Sequence, residues 1–190
     1  MPLNLATMLT LARIVLIPVL VVLFYLPWTW AHKAAAMVFL AAALTDWLDG
    51  WIARRYNQES SFGAFLDPVA DKLMVAVTLV LLVQANPHPW LAVVAAVIIG
   101  REISISALRE WMAELGQRTR IRVGGLGKLK TIMQMTAMTM LLWRDPLFRL
   151  PIYEIGLVLL VVAAVLTLWS MGQYLRAAWQ TIAESGAGLK

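Results

Sequence analysis

Apolar residues fall in six runs along this chain, separated by short clusters of proline, glycine and charge. About 20 apolar residues carry a helix across a bilayer. The runs lie near residues 9–26, 33–51, 68–85, 90–108, 129–143 and 152–169, the fifth being short and the sixth open to extension beyond Trp169. The pattern therefore predicts an all-α integral membrane protein with six transmembrane helices in one domain, residues 1–190. "LPWTWAHK", "QANPHPW" and "RDPLFRLP" read as connections at one end of the bundle. At the other end, the connection from Arg109 to Lys130 reads as longer and richly basic. Residues 183–190 read as a frayed tail. The first run has no basic leader and is interrupted by Arg13, so it is expected to be a span rather than a cleaved signal.

Composition strengthens this reading. The chain is 61% hydrophobic and 14% charged, whereas a soluble domain is nearer half apolar and a quarter charged. With no cysteine, a disulfide framework or thiolate metal site is excluded. The net charge of +5 comes without a nucleic-acid-binding motif, and it fits anionic headgroups better than nucleic acid. One side of the bundle would hold Arg54, Arg55, Arg101, Arg109, Arg118, Arg120, Arg122, Lys128, Lys130 and Arg176, and the other only Lys33, Arg144 and Arg149. The basic side is expected to face the cytoplasm, with both termini there. Trp28, Trp30, Trp90 and Trp143 would form an interfacial belt on the far side. His32 and His88 fall in far-side loops and read as bystanders.

Four aspartates flank the connection between the second and third spans, where carboxylates are expensive and mark function. Asp46 and Asp49 would lie one turn apart at the end of span two, and Asp67 and Asp71 one turn apart at the start of span three. Pro68 would fit a first helical turn, and Asp67 taken alone could be a helix cap. If the helices are neighbours, all four carboxylates converge. At about 5 Å and an effective dielectric near 20, each pair repels by about 3 kcal/mol, so six pairs approach 20 kcal/mol. The group is then expected to hold protons or bind a divalent cation, with all-oxygen donors suited to Mg²⁺ or Mn²⁺ and enough of them for two ions. Gly50, Ala53 and Gly63 admit close backbone approach, and the planar fork of Arg54 suits a phosphate. These features describe a site for a lipid-borne diphosphate.

The segment "DWLDGWIARRYNQESSFGAFLDPVAD" resembles the signature of the CDP-alcohol phosphatidyltransferases, D-x-x-D-G-x-x-A-R followed after eight residues by G-x-x-x-D-x-x-x-D. Asp46, Asp49, Gly50, Ala53, Arg54, Gly63, Asp67 and Asp71 fill every position. "NLATMLTLARIVLIP", "GREISISALREWMAELG" and "GKLKT" extend the resemblance along the chain, toward the family's bacterial members that use glycerol phosphate. The resemblance implies six membrane helices around a polar cavity open to the cytoplasm, a homodimer, and a bacterial inner-membrane location. It also implies displacement of CMP from CDP-diacylglycerol by sn-glycerol 3-phosphate. Asp46, Asp49, Asp67 and Asp71 would ligate metal, with Asp71 also the general base. Gly50 and Ala53 would border the cytidine and Arg54 would hold the diphosphate. Gly63, Asn4 and Thr7 would lie beside the nucleotide, although Asn4 alone also suits a helix cap.

An acceptor with nearly two negative charges needs fixed cations. Arg101 and Lys128 are the first candidates, with Arg109 and Lys130 behind them, against the plainer reading of flanking positive charge. Arg118, Arg120 and Arg122 are expected to meet headgroups. Alternatives are a family member using inositol phosphate or a phosphatidyl lipid, a membrane prenyltransferase, and a cation-coupled transporter. The last would place carboxylates mid-span on broken helices, unlike these pairs at helix ends.

Overall fold

The computed structural model describes residues 5–56, 61–114 and 125–187; for residues 5–6, 46–56, 61–62, 64, 125–128, 177–178 and 180–187 it gives the helix path alone. Six α-helices follow in order: α1 (Leu5–Tyr25), α2 (Ala31–Tyr56), α3 (Ser61–Ala85), α4 (Pro89–Glu114), α5 (Gly125–Trp143) and α6 (Ile152–Ala187). Each apolar run lies within one of these helices, save that the first run's Leu26 falls just past the end of α1. Most helices outrun the hydropathy that announced them, because polar helix formers continue the turn where apolar residues stop. Thus α4 continues past Arg109 to Glu114 and α6 continues past Trp169 to Ala187.

The start of α3 corrects the sequence reading. The helix begins at Ser61, so Asp67, Pro68 and Asp71 lie inside it rather than in its first turn, and Asp67 is no N-cap. An internal proline forgoes one helical hydrogen bond. Pro68 is exposed at a polar cavity, a setting in which the freed backbone group is cheaper to solvate than in lipid.

The bundle core is built from Leu20, Phe39, Leu79, Ile98, Met138, Leu141 and Leu160, all fully buried. The most extensive packing joins α5 to α6, followed by α1 to α2 and α1 to α3. Gly156 permits the α5–α6 approach: a Cβ there would stand 3.0 Å from Met140 Cβ and 3.2 Å from the Ala137 carbonyl oxygen. Outward-facing Val15, Val22, Val80, Val93, Ile132, Val158 and Val165 are more than half exposed. Such an apolar girdle suits lipid and would be a liability in water. Among the described residues, Thr7–Tyr25, Pro89–Glu114 and Ile152–Arg176 are each long and apolar enough to cross a membrane, and Ala31–Thr45 is a shorter apolar stretch. The protein is an integral membrane protein.

The helix ends formed by Tyr25, Ala31, Ala85, Pro89, Trp143 and Ile152 gather at one pole. Asn86 Nδ2 donates to Tyr153 Oη at 3.0 Å, and Tyr25 Oη donates to Gln84. Lys33 Nζ lies 2.8 Å and His32 Nε2 3.2 Å from Asp145 Oδ2. These contacts hold the α5–α6 connection, where Arg144, Phe148 and Arg149 take positive φ of 65°, 51° and 66°. The Arg144 guanidinium also covers the Phe24 ring at 5.0 Å, which steadies that strained backbone.

Candidate active site

Toward the opposite pole, α3 carries Asp67 and Asp71 one turn apart against α1. There Arg13 is buried to 1% exposure. Its Nη1 donates to Asp71 Oδ1 at 2.8 Å and to Asp67 Oδ1 at 3.2 Å. Thr10 Oγ1, one turn before Arg13 on α1, donates to Asp67 Oδ1 at 3.4 Å. The packing of α1 against α3 thus places a fixed positive charge between two carboxylates. It adds a third means of relieving their repulsion to protonation and metal binding, which were the two considered from sequence. Arg13 read in the sequence only as a break in an apolar run. A lone arginine at membrane depth must find an anionic partner, and that is the signal by which it could have been found.

The carboxylates open on a cavity of about 380 Å³ bounded by α3 and α4. Asp67, Asp71 and Lys72 line one wall, and Arg101, Glu102, Ser106 and Arg109 line the other. Lys72 Nζ donates to Ser106 Oγ, tying the walls together. Arg101 is buried; its Nη1 pairs with Glu102, and its Nη2 donates to Ser170 Oγ on α6 at 3.4 Å. Lys130, also buried, donates from Nζ to the same Ser170 oxygen at 3.2 Å. Arg109 Nη2 donates to Tyr174 Oη at 3.1 Å, with its guanidinium carbon 5.2 Å from that ring's centre. Arg101, Arg109 and Lys130 therefore gather against one polar face of α6. Of the predicted acceptor cations, Arg101 and Lys130 are inward-facing rather than flanking charge, and the side chain of Lys128 lies outside the described residues.

Thr7 is buried on α1 and Gly63 half-buried in the first turn of α3. Asn4 and the side chains of Asp46, Asp49, Gly50, Ala53 and Arg54 lie outside the described residues. The path of α2 nevertheless carries residues 46, 49, 50, 53 and 54 as one continuous helix. Ala42 and Ala43, one turn before Asp46, line a small cleft together with Arg13 and Asp71. α2 therefore comes close to Asp71 at Ala42 and Ala43, while its main packing is against α1 and α5 rather than α3.

The donor chemistry fits a divalent cation. Two carboxylate oxygens already converge on one nitrogen cation at 2.8 and 3.2 Å. A hard divalent ion asks for the same convergence of anionic oxygens. Among the described residues no three acidic or histidine side chains meet.

Comparison with known proteins gives the same direction. Proteins named CDP-diacylglycerol–glycerol-3-phosphate 3-phosphatidyltransferase from Shigella flexneri (serotype 5b, strain 8401) and Escherichia coli (strain K12) are each 54% identical to this chain over 178 residues. In each case the match covers 94% of this chain and 96% of the relative. A protein of the same name from Salmonella choleraesuis (strain SC-B67) matches to the same extent. The family model described as CDP-alcohol phosphatidyltransferase matches residues 3–179, which takes in α1 to α5, most of α6 and the aspartate-bearing segment. The chain belongs to the CDP-alcohol phosphatidyltransferase family.

Proposed function

We propose that this membrane enzyme transfers the phosphatidyl group of CDP-diacylglycerol to sn-glycerol 3-phosphate, giving phosphatidylglycerophosphate and CMP in phospholipid biosynthesis. The observation that carries the reading is a single cavity with Asp67 and Asp71 on one wall and Arg101 and Arg109 on the other. Carboxylates that gather metal and deprotonate a hydroxyl there face cations that suit a phosphate. The relatives' shared name supplies the two substrates.

In this reading the acceptor's hydroxyl oxygen attacks the phosphorus joined to diacylglycerol. The bond from that phosphorus to the oxygen of the departing CMP breaks, and Asp71 takes the hydroxyl proton, which requires hydrogen-bond reach. Arg13 holds one Asp71 oxygen at 2.8 Å and so fixes how the carboxylate presents itself. Arg101, Arg109, Lys128 and Lys130 hold the acceptor's phosphate. Arg54 holds the diphosphate, while Gly50, Ala53, Gly63, Asn4 and Thr7 border the nucleotide. Asp46, Asp49, Asp67 and Asp71 are the residues that would hold Mg²⁺ or Mn²⁺, two ions in all. Bound there, the metal supplies charge neutralisation for the diphosphate and the leaving phosphate. The site opens to the cytoplasm of a bacterial inner-membrane protein that works as a homodimer among membrane lipids.

The test is purified protein in detergent, given CDP-diacylglycerol and a panel of acceptors with and without divalent metal. Metal-dependent CMP release with glycerol phosphate preferred is the expected result. Preference for inositol phosphate, serine or a phosphatidyl lipid would retain the chemistry and overturn the acceptor. Absence of CMP release with every acceptor would overturn the function.

A further inference from the structure

We propose that Ser170 is a positioning residue for the acceptor's phosphate. Its hydroxyl oxygen holds the Arg101 guanidinium and the Lys130 ammonium together as a two-cation cradle for a dianion. This rests on the acceptor reading given above. Ser170 belongs to the extension of α6 beyond its most apolar stretch, and its neutral side chain carries no sequence signal of its own.

A serine hydroxyl has one proton to donate and two lone pairs to accept with. At Ser170 the proton goes to the Thr167 carbonyl oxygen, 2.9 Å away. Both lone pairs are then turned toward cations: Arg101 Nη2 at 3.4 Å from α4 and Lys130 Nζ at 3.2 Å from α5. Three helices thus meet at one oxygen atom, and two positive charges are drawn close by a group that carries none.

Burial makes that arrangement costly unless it serves an anion. Arg101 and Lys130 are only 6% and 5% exposed. Among the described residues, Glu102 is the carboxylate paired with Arg101, and Lys130 has no carboxylate partner. One positive charge is left over. Buried polar groups are normally satisfied, yet Arg101 Nε and Thr167 Oγ1 are both buried with no hydrogen-bond partner among the described residues. Thr167 stands one turn from Ser170 on α6. Arg101 also lines the cavity that holds Asp67 and Asp71, so this excess positive charge borders the space where the reaction would occur. A phosphate dianion entering beside Arg101 offers the negative charge the cluster lacks. Were Ser170 only a filler for buried polar groups, an acidic side chain or apolar packing would serve better than a hydroxyl between two cations.

The experiment measures initial rates against each substrate for wild type, Ser170→Ala, Ser170→Cys and Ser170→Thr, with Arg101→Ala and Lys130→Ala in parallel. Unfolding temperature in detergent is recorded with and without glycerol phosphate. Ser170→Ala is expected to raise KM for glycerol phosphate about tenfold, the size of one lost bond to a charged group, and to move KM for CDP-diacylglycerol less than about twofold. The stabilisation conferred by glycerol phosphate should shrink with it. Ser170→Thr, which keeps the hydroxyl, should return most of the affinity. If Ser170→Ala does not fold, Ser170→Cys decides, because it keeps the size and weakens the acceptor. If the serine variants keep wild-type KM for glycerol phosphate while Arg101→Ala and Lys130→Ala lose it, Ser170 is not the positioning residue and the acceptor reading survives. If Arg101→Ala and Lys130→Ala also respond normally, the acceptor pocket itself is misplaced. If the serine variants only lower unfolding temperature, with both KM values unchanged, the role is structural and the proposal fails.

Discussion

The two poles of this bundle both join a cation to a carboxylate, in opposite settings. At one pole Arg13 is 1% exposed and is shared between Asp67 and Asp71, within a packed interface of α1 and α3. At the other, Lys33 and Asp145 are 42% and 46% exposed, and their pairing staples a connection. Exposed pairs contribute little because water screens them and mobile side chains lose entropy on pairing. A buried guanidinium has no such alternative, and removing either side leaves an uncompensated charge. The same chemical contact is therefore a fastening at one pole and, at the other, a buried pairing that borders the cavity proposed as the reaction site.

The comparison breaks most visibly at the aspartates. Replacing Asp46, Asp49, Asp67 or Asp71 by alanine is expected to lower turnover roughly a hundred- to ten-thousandfold. Asp71→Asn should retain some metal dependence while losing the base. Full turnover in two of the four alanine variants, at normal protein level, would remove the metal-site assignment. Next comes Arg13. Arg13→Ala should lower turnover about ten- to a hundredfold, since two carboxylates about 5 Å apart then repel by about 3 kcal/mol at an effective dielectric near 20. Arg13→Lys restores the charge without the planar fork and should recover only part of the rate. Wild-type kcat in Arg13→Ala would reduce the buried pair to the status of the exposed one.

A third prediction fixes which pole faces which compartment. A single cysteine at Gly116, between α4 and α5, is expected to resist an impermeant thiol reagent in intact cells, whereas one at His88 is labelled. Equal labelling would reverse or void the orientation. The smallest effect belongs to Asp145. Its carboxyl is held below the usual 3.8, first by the hydrogen bond from Lys33 and then by that from His32. A depressed carboxyl contributes stability above its unfolded value and loses it as pH falls through the folded one. Asp145→Asn should therefore lower the unfolding temperature slightly near neutral pH and leave turnover unchanged. The difference from wild type should begin to close as pH falls below 3.8 and vanish only below the lowered value of the folded state. A loss of turnover in Asp145→Asn would contradict the division between the poles.

What sequence made visible divides along similar physical lines. The six runs were legible because lipid demands continuous apolar surface, and the aspartates because their spacing is local to one segment. Arg13 was missed as a site residue because its partners lie 54 and 58 residues away and pairing across that distance leaves no periodic trace. Ser170 and Tyr174 were missed because a neutral hydroxyl on a helix is ordinary until a cation is seen beside it. Pro68 was misplaced because a proline inside a helix is tolerated only where surroundings permit, and surroundings are tertiary. Arg101 and Lys130 were named as acceptor cations with flanking charge as the alternative, because a count of basic residues does not say which of them turn inward.

Helix length converts into depth. At about 1.5 Å per residue, Arg13 stands about 18 Å from the Tyr25 end of α1, Arg101 about 18 Å from the Pro89 end of α4 and Lys130 about 20 Å from the Trp143 end of α5. A hydrocarbon core is about 30 Å thick. Measured from the same pole, the cations beside Ser170 and the Arg13 carboxylate centre therefore share a depth, about 10 Å inside the far boundary of such a core. Lipid phosphates rest outside the hydrocarbon, so the reacting phosphorus reaches Asp71 only if its lipid rides low or the bilayer dimples around the protein. Bilayer thickness thereby becomes a variable of docking. Vesicles of shorter-chain lipid should support faster turnover than longer-chain vesicles at equal surface density of substrate, and equal rates would mean that the descent costs nothing.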